Sequence, residues 1–433
     1  MSTDHQSGDH TKKKVMIFAE SLLGGGHFKM VSLVAKDLIK QGFEVNIVTG
    51  SIKRGSLFDF GGANIVEIPE ITKEFAYSDS GVPRELLEAR RVAIAKAYED
   101  IKPDAIMVET WPVSRGNLFD HELLPLLEEA KHERIPPKVY CMLRDVLFMP
   151  SAGSGGTLES TIDVFKQYFN GGVVVCGDDK FIPLEASYPA IAEVADKVRY
   201  TGYLVDDLPP RNEPSGEVVV SGGGGFHQHS TSLLTNTLES IPYTEGYKDR
   251  TWHFLVPEND ANAAEEIEFM KKFKARAEEI SRETGTKIIV EKNRPDFLKL
   301  MVNADLSICQ AGYNSSIESV SSALRDGTPR ILVPIKLDFM KGNDEQVFRT
   351  ERFADMGLVT MVSQSDTSDA KLFGEAIAHA KAPKHKEGLQ LLANGSENTA
   401  KLLKRDAEQW QQKAQNAAAG SELAPRTGWV AGA

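Results

Sequence analysis

A short turn joins a predicted strand to a predicted helix in the second half of the chain, and its residue types suit a phosphate group. Its residues are Gly312, Tyr313, Asn314 and Ser315. A glycine-containing turn at the carboxyl end of a strand exposes backbone N–H groups at a helix N-terminus, where anions bind. Glu318 lies one turn into the helix, where its carboxylate could accept both hydroxyls of a ribose, although alone it would be an ordinary first-turn glutamate. The pattern predicts a nucleotide ligand.

A second strand-to-helix turn is made almost entirely of glycine. It follows a predicted strand at residues 217–220 and contains Ser221, Gly222, Gly223, Gly224 and Gly225. Because glycine leaves little but backbone amides facing outward, this turn suits a diphosphate, and a purely structural loop is the alternative. His227 and His229 lie just beyond it. Since no further cluster of ligands accompanies them, we interpret them as surface or substrate contacts and predict no metal site.

Polar residues after two other predicted strands complete this half of the chain. They are Arg294, Asp344, Glu345 and Gln346. The acids and the amide that follow Pro334 could read sugar hydroxyls, and Arg294 is placed to meet a base or a phosphate. A charged helix cap and a solvated loop charge are the respective alternatives.

The first half of the chain carries its own glycine turn, followed by a histidine. Gly24, Gly25 and Gly26 come after a predicted strand at residues 15–18 and open a helix. His27 titrates near neutrality, so it could take a proton from an acceptor hydroxyl or donate to a phosphate. A turn with a hydrogen-bonding histidine is the alternative.

Charged residues also end the neighbouring strands of this half. Arg144 and Asp145 follow a predicted strand at 139–143, and Glu109 follows one at 106–108. Such positions are typical of binding sites in α/β proteins, although a structural ion pair would have the same pattern. The loop at 151–157, rich in glycine and serine, could form a lid over the site.

Strands and helices alternate through both halves, which predicts an α/β fold with parallel sheets. We expect two doubly wound Rossmann-like domains, at residues 14–205 and 217–390, joined by an exposed proline-rich and acidic linker at 206–216. Because each domain opens with a strand and a glycine turn, the cleft between them would receive glycine turns from both sides. The remaining expectations are a flexible N-terminus at 1–13, a C-terminal helix at 391–415 and a disordered tail at 416–433.

The composition limits the possible functions. With 433 residues the chain is long enough for two domains, and its formal net charge of -12 opposes nucleic-acid binding. The three cysteines lie in apolar runs without paired spacing, which indicates reduced thiols and a cytoplasmic protein. We expect neither a signal peptide nor a transmembrane segment, and peripheral membrane association stays open.

Together these motifs resemble those of the GT-B glycosyltransferases, in particular the MurG-like branch (family 28). The residues similar to the donor-nucleotide signature of that family are 311–318, 327–329, 333–334 and 344–346. Residues 24–27 resemble its glycine-glycine-histidine loop. A closer likeness is to bacterial proteins labelled only as predicted glycosyltransferases, and it covers residues 102–112, 119–124 and 141–145.

The resemblance implies two GT-B domains and a hexosyltransferase that moves a sugar from a nucleotide diphosphate sugar, expected to be UDP-linked. It implies an inverting, metal-independent reaction whose co-substrate is the nucleotide sugar, with no cofactor. By resemblance, Glu318 would bind the ribose, Gly223 and Gly224 the diphosphate, and Gln346 the sugar. His27 would lie beside the acceptor, and either His27 or Asp145 would be the catalytic base.

The acceptor stays unassigned, as a small molecule, a glycan or a lipid. Relative to the family's peptidoglycan-precursor enzyme, the first glycine loop lacks a threonine, and Arg144 and Asp145 stand where that enzyme has an asparagine-bearing loop. Two other functions remain open. One is a nucleotide-sugar 2-epimerase of the same fold, which needs no acceptor, and the other is a non-catalytic nucleotide-sugar-binding partner subunit.

Overall fold

The computed structural model of the chain describes residues 12–21, 26–56, 58–76, 81–113, 116–147, 158–212, 214–258, 262–335, 345–384 and 389–418. Most of the N-terminal segment and tail for which the sequence predicts flexibility or disorder lies outside these ranges. The whole of the possible lid at 151–157 also lies outside them.

Within the described residues, the N-terminal lobe contains a parallel sheet of seven strands in the order β3-β2-β1-β4-β5-β6-β7. Along the chain these strands are β1 (Lys14–Phe18), β2 (Glu44–Thr49), β3 (Asn64–Glu67), β4 (Ala105–Glu109), β5 (Lys138–Arg144), β6 (Gly172–Cys176) and β7 (Val198–Tyr200). The helices are α1 (Gly26–Lys40), α2 (Ile52–Gly55), α3 (Lys73–Ala76), α4 (Arg84–Ile101), α5 (Asp120–Lys131) and α6 (Leu158–Tyr168), with 3-10 helices at Gly116–Phe119, Leu184–Ala186 and Pro189–Lys197. Strands such as β6, Gly-Val-Val-Val-Cys, are buried along their whole length, as expected where helices cover both faces of a parallel sheet.

The C-terminal lobe repeats this plan with six described strands in the order β10-β9-β8-β11-β12-β13. They are β8 (Glu217–Ser221), β9 (Thr251–Val256), β10 (Ile288–Lys292), β11 (Leu306–Gln310), β12 (Arg330–Val333) and β13 (Thr360–Met361). The helices are α7 (Gln228–Ser240), α8 (Ala263–Thr284), α9 (Phe297–Asn303), α10 (Tyr313–Asp326), α11 (Glu345–Asp355), α12 (Gln364–Thr367) and α13 (Ala370–Ala378), with a 3-10 helix at Ile241–Tyr243. Gly285 and Gly327 end α8 and α10 in the left-handed conformation that glycine adopts without strain.

Both sheets reverse their strand order at the centre, where β1 lies beside β4 and β8 lies beside β11. Such a reversal opens a crevice at the carboxyl ends of the strands, which is where ligands bind in doubly wound sheets. The predicted α/β architecture of two Rossmann-like domains is therefore confirmed, and the topology itself marks one candidate binding edge in each lobe.

The last helix, α14 (Gly395–Ala418), returns to the N-terminal lobe and packs against α1. Its Leu403 is buried in the core that α1 also lines. Ser396 Oγ donates to Asp37 at 2.5 Å, and the Tyr140 hydroxyl donates to Asp406 at 2.9 Å. The chain thus crosses between the lobes twice, once in each direction.

The segment expected to be an exposed linker is fastened to both lobes. Asp206 pairs with Lys29 of α1. The backbone N–H of Asn212 donates to Asn303 Oδ1 at 2.8 Å, and Arg211 donates to the carbonyl of Asp326 at 2.9 Å. In the described part of the chain, no helix is long and apolar enough to cross a lipid bilayer.

Candidate active site

Glu318 is a buried acid of α10, near the candidate edge of the C-terminal lobe. Its side chain is 7% exposed, and no described residue hydrogen-bonds to it or forms a salt bridge with it. Burial raises its pKa to about 7, although the charge of Lys29 opposes the rise. A buried carboxylate without a partner is costly, so this arrangement is typical of a group that a ligand satisfies.

Two buried side-chain oxygens at the end of β11 and the start of α10 lack hydrogen-bond partners among the described residues. They are Gln310 Oε1, at the end of β11, and Asn314 Oδ1, in the first turn of α10. Gly312 caps α10 and Ser315 follows Asn314 in its first turn. Buried polar atoms are nearly always paired in folded proteins, so unpaired oxygens clustered around a helix N-terminus indicate a polar ligand.

The tetraglycine turn lies next to this group, across the strand reversal. A Cβ atom added at Gly223 would come within 3.8 Å of Gln310 Oε1. Gly223 has a φ of +88°, and its carbonyl accepts a hydrogen bond from Asn293 at 2.9 Å. A Cβ at Gly222 would lie 3.1 Å from Ser230 Cβ, so the chain fits closely only with glycine there. Gly224 is exposed and has open space around it.

His227 caps the helix that follows the glycine turn. Its Nδ1 accepts from the backbone N–H of Ser230 at 3.2 Å, and Ser230 Oγ accepts from the N–H of His227 at 3.0 Å. Burial lowers the pKa of His227, and the nearby His229 lowers it further. No group of three or more His, Cys, Asp or Glu among the residues described here is arranged to hold a metal ion.

Arg294 is engaged by neighbouring acids. It donates to Asp296 at 2.6 and 2.7 Å and to Glu291 at 2.9 Å. These bonds occupy most of its guanidinium, which agrees with the alternative considered from the sequence, a solvated loop charge. Contact between Arg294 and a ligand stays a prediction.

At the candidate edge of the N-terminal lobe, two side chains form a histidine–carboxylate pair. His27 lies at the start of α1 and Glu109 at the end of β4, and His27 Nδ1 is 2.7 Å from Glu109 Oε1. Glu109 is buried whereas His27 is partly exposed. A carboxylate acceptor at Nδ1 favours the tautomer with the proton on that nitrogen, in which Nε2 is the basic nitrogen. This contact spans the strand reversal of the first sheet, and Gly223 and Gln310 lie on the two sides of the reversal in the second.

Asp145 has a different environment from His27. It is fully buried, and Arg349 donates to its carboxylate from Nε and Nη2 at distances of 2.7 to 3.1 Å. Burial alone would lower the pKa of Arg349, but the charges of Asp145 and Glu345 raise it, so the guanidinium stays charged. A carboxylate held in this way is unsuited to accept a proton, so the geometry favours His27 as the base.

Tyr313 and Glu345, both expected to contact a ligand, touch the other lobe, and their contact with a ligand stays a prediction. The guanidinium groups of Arg144 and Arg349 both lie over the Tyr313 ring, and the Tyr313 hydroxyl donates to the carbonyl of Cys176 at 2.8 Å. Glu345 accepts from Arg349 at 2.6 Å and lies 3.6 Å from Arg144. These residues therefore hold the lobes together.

Three of the predicted site residues lie outside the described part of the chain, namely Gly24, Gly25 and Asp344. Of their neighbours, Gly26 begins α1, and a Cβ there would lie 3.4 Å from Arg144 Nη2. Gln346 Oε1 accepts from the backbone N–H of Ile335 at 3.1 Å, which fixes the start of α11 relative to β12.

Scanned against protein-family models and against curated proteins, the sequence matches none. Solved structures do resemble it. MurG from Acinetobacter baumannii is 14% identical, with a TM-score of 0.56 over 91% of this chain and 100% of that chain. UGT2 from Phytolacca americana, solved with UDP-2-fluoro-glucose and pterostilbene, is 14% identical, with a TM-score of 0.57 over 92% and 100%. The chain has the GT-B fold.

UDP-GlcNAc 2-epimerase from Methanocaldococcus jannaschii also shares the GT-B fold, with 13% identity and a TM-score of 0.53 over 90% of this chain and 99% of that chain. At such identities the similarity is one of fold, so the chemistry has to be argued from the side chains. In this GT-B protein they form two groups, one at each strand reversal.

Two residues were not predicted from the sequence. Gln310 belongs to the candidate site of this GT-B protein, and Arg349 belongs to the interface between its lobes. Gln310 is the last residue of β11, one position beyond the predicted strand end, and the Gly312 turn beside it was the signal that could have drawn attention to it. Arg349 lies in the middle of a charged helix, and its partner Asp145 is 204 positions away, so no local pattern reveals the pair.

Proposed function

We propose that this protein is a glycosyltransferase that uses a nucleoside diphosphate sugar, with uridine as the expected base. The main support is Glu318, a buried carboxylate that no described side chain pairs with, in a helix that begins beside a glycine turn. Ribose hydroxyls would replace the water that this carboxylate has lost. The fold similarity to UGT2 and MurG supports the same assignment.

The diphosphate would lie between the tetraglycine turn and the N-termini of α7 and α10. Backbone N–H groups and the positive ends of the helix dipoles would stabilise the negative charge that develops on the leaving group. In this proposal they provide the stabilisation that a divalent metal provides elsewhere, so transfer of the hexose is metal-independent. Gln346, and Asp344 in the adjoining segment, would read the hydroxyls of the sugar.

The acceptor would bind to the N-terminal lobe beside His27. The acceptor hydroxyl oxygen attacks the anomeric carbon, the bond from that carbon to the diphosphate breaks, and His27 Nε2 takes the hydroxyl proton. Glu109, 2.7 Å from Nδ1, orients the ring and stabilises the imidazolium that forms. Attack from the side opposite the leaving group inverts the anomeric configuration.

The proposal is tested by turnover with defined donors. The purified chain is incubated with UDP-glucose or UDP-N-acetylglucosamine and a panel of hydroxylated acceptors, with and without EDTA, and UDP release and glycosylated product are measured. We expect both signals to depend on an acceptor and to be unaffected by EDTA.

Other outcomes of that assay identify the alternatives. An isomerised sugar formed without an acceptor would indicate a 2-epimerase, the function named for one protein of similar fold. Binding of UDP without any conversion, together with full biological function of a His27→Ala variant, would indicate a non-catalytic partner subunit. The His27–Glu109 pair favours transfer, because it provides a base for an acceptor hydroxyl.

A further inference from the structure

The two lobes share a buried charged cluster that contains Arg144, Asp145, Tyr313, Glu345 and Arg349. Arg144 is the last residue of β5 in the N-terminal lobe and Asp145 follows it, whereas the other three residues belong to the C-terminal lobe. Arg349 and Asp145 are both completely buried. The cluster contains two basic and two acidic side chains, so its formal charges balance.

Arg349 is the member that joins the others. Its Nη2 donates to Asp145 at 2.7 Å and to Glu345 at 2.6 Å, and its guanidinium carbon lies 5.0 Å from the centre of the Tyr313 ring. Tyr313 is the first residue of α10, and Glu345 is the first residue of α11. One side chain therefore touches the start of both helices that carry the proposed donor-binding residues.

The geometry also fixes these helix starts against the N-terminal lobe. Asp145 follows directly on β5, and the Tyr313 hydroxyl bonds to the carbonyl at the end of β6. The carboxyl ends of these strands lie on the same sheet edge as Glu109, whose carboxylate orients His27. The distance between the donor-binding turns and the proposed base thus depends on the Asp145–Arg349 pair.

A purely stabilising interface does not require such a pair. Apolar contacts already join the lobes, including Tyr203 against Tyr313 and Phe181 against Phe353. A buried ion pair contributes little net stability compared with apolar residues of similar volume, because both charges lose their hydration. Its bidentate geometry instead imposes one relative position on the two groups.

We propose that Arg349 is a positioning residue. By pairing with Asp145 it holds the starts of α10 and α11 at one position relative to the His27–Glu109 pair, which we call the register of the lobes. It thereby governs sugar recognition and turnover without contacting the nucleotide. This inference rests on the proposed transferase function for its kinetic consequences, whereas the register of the lobes can be measured without any ligand.

The test uses Arg349→Lys and Asp145→Asn, singly and together, in the full chain. Lysine keeps a positive charge opposite Asp145 but loses the bidentate geometry, which protects folding while shifting the register. The matched control is Arg90→Lys, which alters a buried bidentate arginine–glutamate pair within the N-terminal lobe alone. Affinities for UDP and for UDP-glucose are measured by calorimetry, and turnover by UDP release.

We expect both single variants to bind UDP within about threefold of the wild type, while turnover and the affinity advantage of UDP-glucose over UDP fall by about 10- to 100-fold, as small misplacements of reacting groups do. The double variant should lose no more than the worse single variant, because the two substitutions break one interaction. Arg90→Lys should reduce stability but keep the UDP-glucose to UDP ratio. Parallel losses for UDP and UDP-glucose, or additive effects, would overturn the inference.

Hydrogen exchange of the ligand-free proteins gives a readout that does not depend on the proposed function. Exchange should become faster both in Glu345–Asp355 and near Cys176 in the Arg349 and Asp145 variants, and in neither place in Arg90→Lys. If the wild type binds no nucleoside diphosphate, the proposed function fails and exchange alone decides whether Arg349 sets the register. Faster exchange in one lobe only, or in none, would refute that register role.

Discussion

Glu318 and His27 carry opposite halves of the proposed reaction, and their surroundings differ accordingly. Glu318 is buried without a described partner, so it gains most from a ligand, whereas His27 is partly exposed and already oriented by Glu109. The first is a binding group whose ionisation is costly in the empty protein. The second is the proposed base, and its Nδ1 is held by the Glu109 carboxylate.

Replacing His27 tests the base directly. We expect His27→Ala to lower the rate of sugar transfer by about 100- to 10,000-fold, the usual contribution of a positioned base, with UDP affinity nearly unchanged. Glu109→Gln should have a smaller effect, because it keeps a hydrogen-bonding group at Nδ1 without the negative charge.

The control for this experiment is His121→Ala, an exposed histidine of the same lobe, which should leave transfer unchanged. Steady-state rates of UDP release and a UDP titration separate the two effects. Transfer by His27→Ala within a fewfold of the wild type would rule out His27 as the base.

Ionisation of Glu318 should make the stability of the empty protein depend on pH. Its folded pKa of about 7 lies above the ordinary value of 4.5, so the ionised carboxylate destabilises the folded state. The cost is absent below about pH 4.5, grows as the pH rises to about 7 and then stays constant, at no more than about 3 kcal/mol. Glu318→Gln should therefore be more stable than the wild type at pH 8, and this advantage should be smaller at pH 5.

Urea unfolding at both pH values measures this difference. Glu279→Gln, which changes a half-exposed acid of the same lobe, should show no pH-dependent difference from the wild type. An equal effect of Glu318→Gln at pH 5 and pH 8 would show that Glu318 ionises normally in the folded protein.

Residue types near the strand ends could be predicted from the sequence, but their partners could not. The turn from Gly312 to Ser315 and the acid at Glu318 follow local patterns that any strand-to-helix junction of this kind shares. The pairings of His27 with Glu109 and of Arg349 with Asp145 join residues 82 and 204 positions apart. Only the fold brings them together, so Asp145 could not be distinguished in advance from a catalytic base.

At the scale of elements, the backbone conformation of the tetraglycine turn determines where its amides lie in the proposed diphosphate site. Gly223 has a φ of +88°, which a residue with a side chain adopts only at a cost of roughly 1 to 2 kcal/mol. Gly223→Ala should lower stability by about that amount and weaken UDP binding by more than tenfold, because the turn must shift its amides to relieve the strain.

Gly246→Ala is the matched control for the turn. Gly246 has a φ of +85° and open space around it, so alanine there should cost similar stability without changing UDP affinity. Thermal unfolding and a UDP titration of both variants provide the comparison. Equal UDP affinity of Gly223→Ala and the wild type would remove this turn from the binding site.

Long apolar elements were predictable from their periodicity, and short ones were not. The strands of both sheets that flank the strand reversals follow clear apolar runs, such as Ile106–Val108 within β4. Strand β13 has two residues, Thr360 and Met361, which is too short for any pattern to indicate. The C-terminal helix begins at Gly395, within a few residues of its predicted start.

At the scale of the whole molecule, the lobes form one packed body. A single apolar cluster includes Val15 and Val31 of the first lobe, Ile317 and Leu332 of the second, and Leu403 of α14. Sequence patterns predicted two domains that face each other across a cleft and are joined by an exposed linker. They could not show this interface, because each lobe has the complete pattern of an independent domain.

The shared core predicts that both lobes unfold together. Calorimetry should show one transition, and Leu403→Ala should lower the stability of the whole chain by about 2 to 5 kcal/mol, the usual cost of a large-to-small change in a core. Leu372→Ala, at a half-exposed leucine, is the control and should change stability by less than about 0.5 kcal/mol. Two separate transitions, of which Leu403→Ala shifts only that of the first lobe, would show that the lobes unfold independently.

Calorimetric titration of UDP into the wild type and into Glu318→Ala is the most direct measurement of whether the start of α10 binds a nucleotide. We predict saturable binding by the wild type and a loss of affinity of about 10- to 100-fold in the variant, since hydrogen bonds to a charged group contribute about 1.5 to 3 kcal/mol. Glu279→Ala should bind as the wild type does. Wild-type protein that binds neither UDP nor any other nucleoside diphosphate, or a Glu318→Ala variant with unchanged affinity, would contradict the assignment.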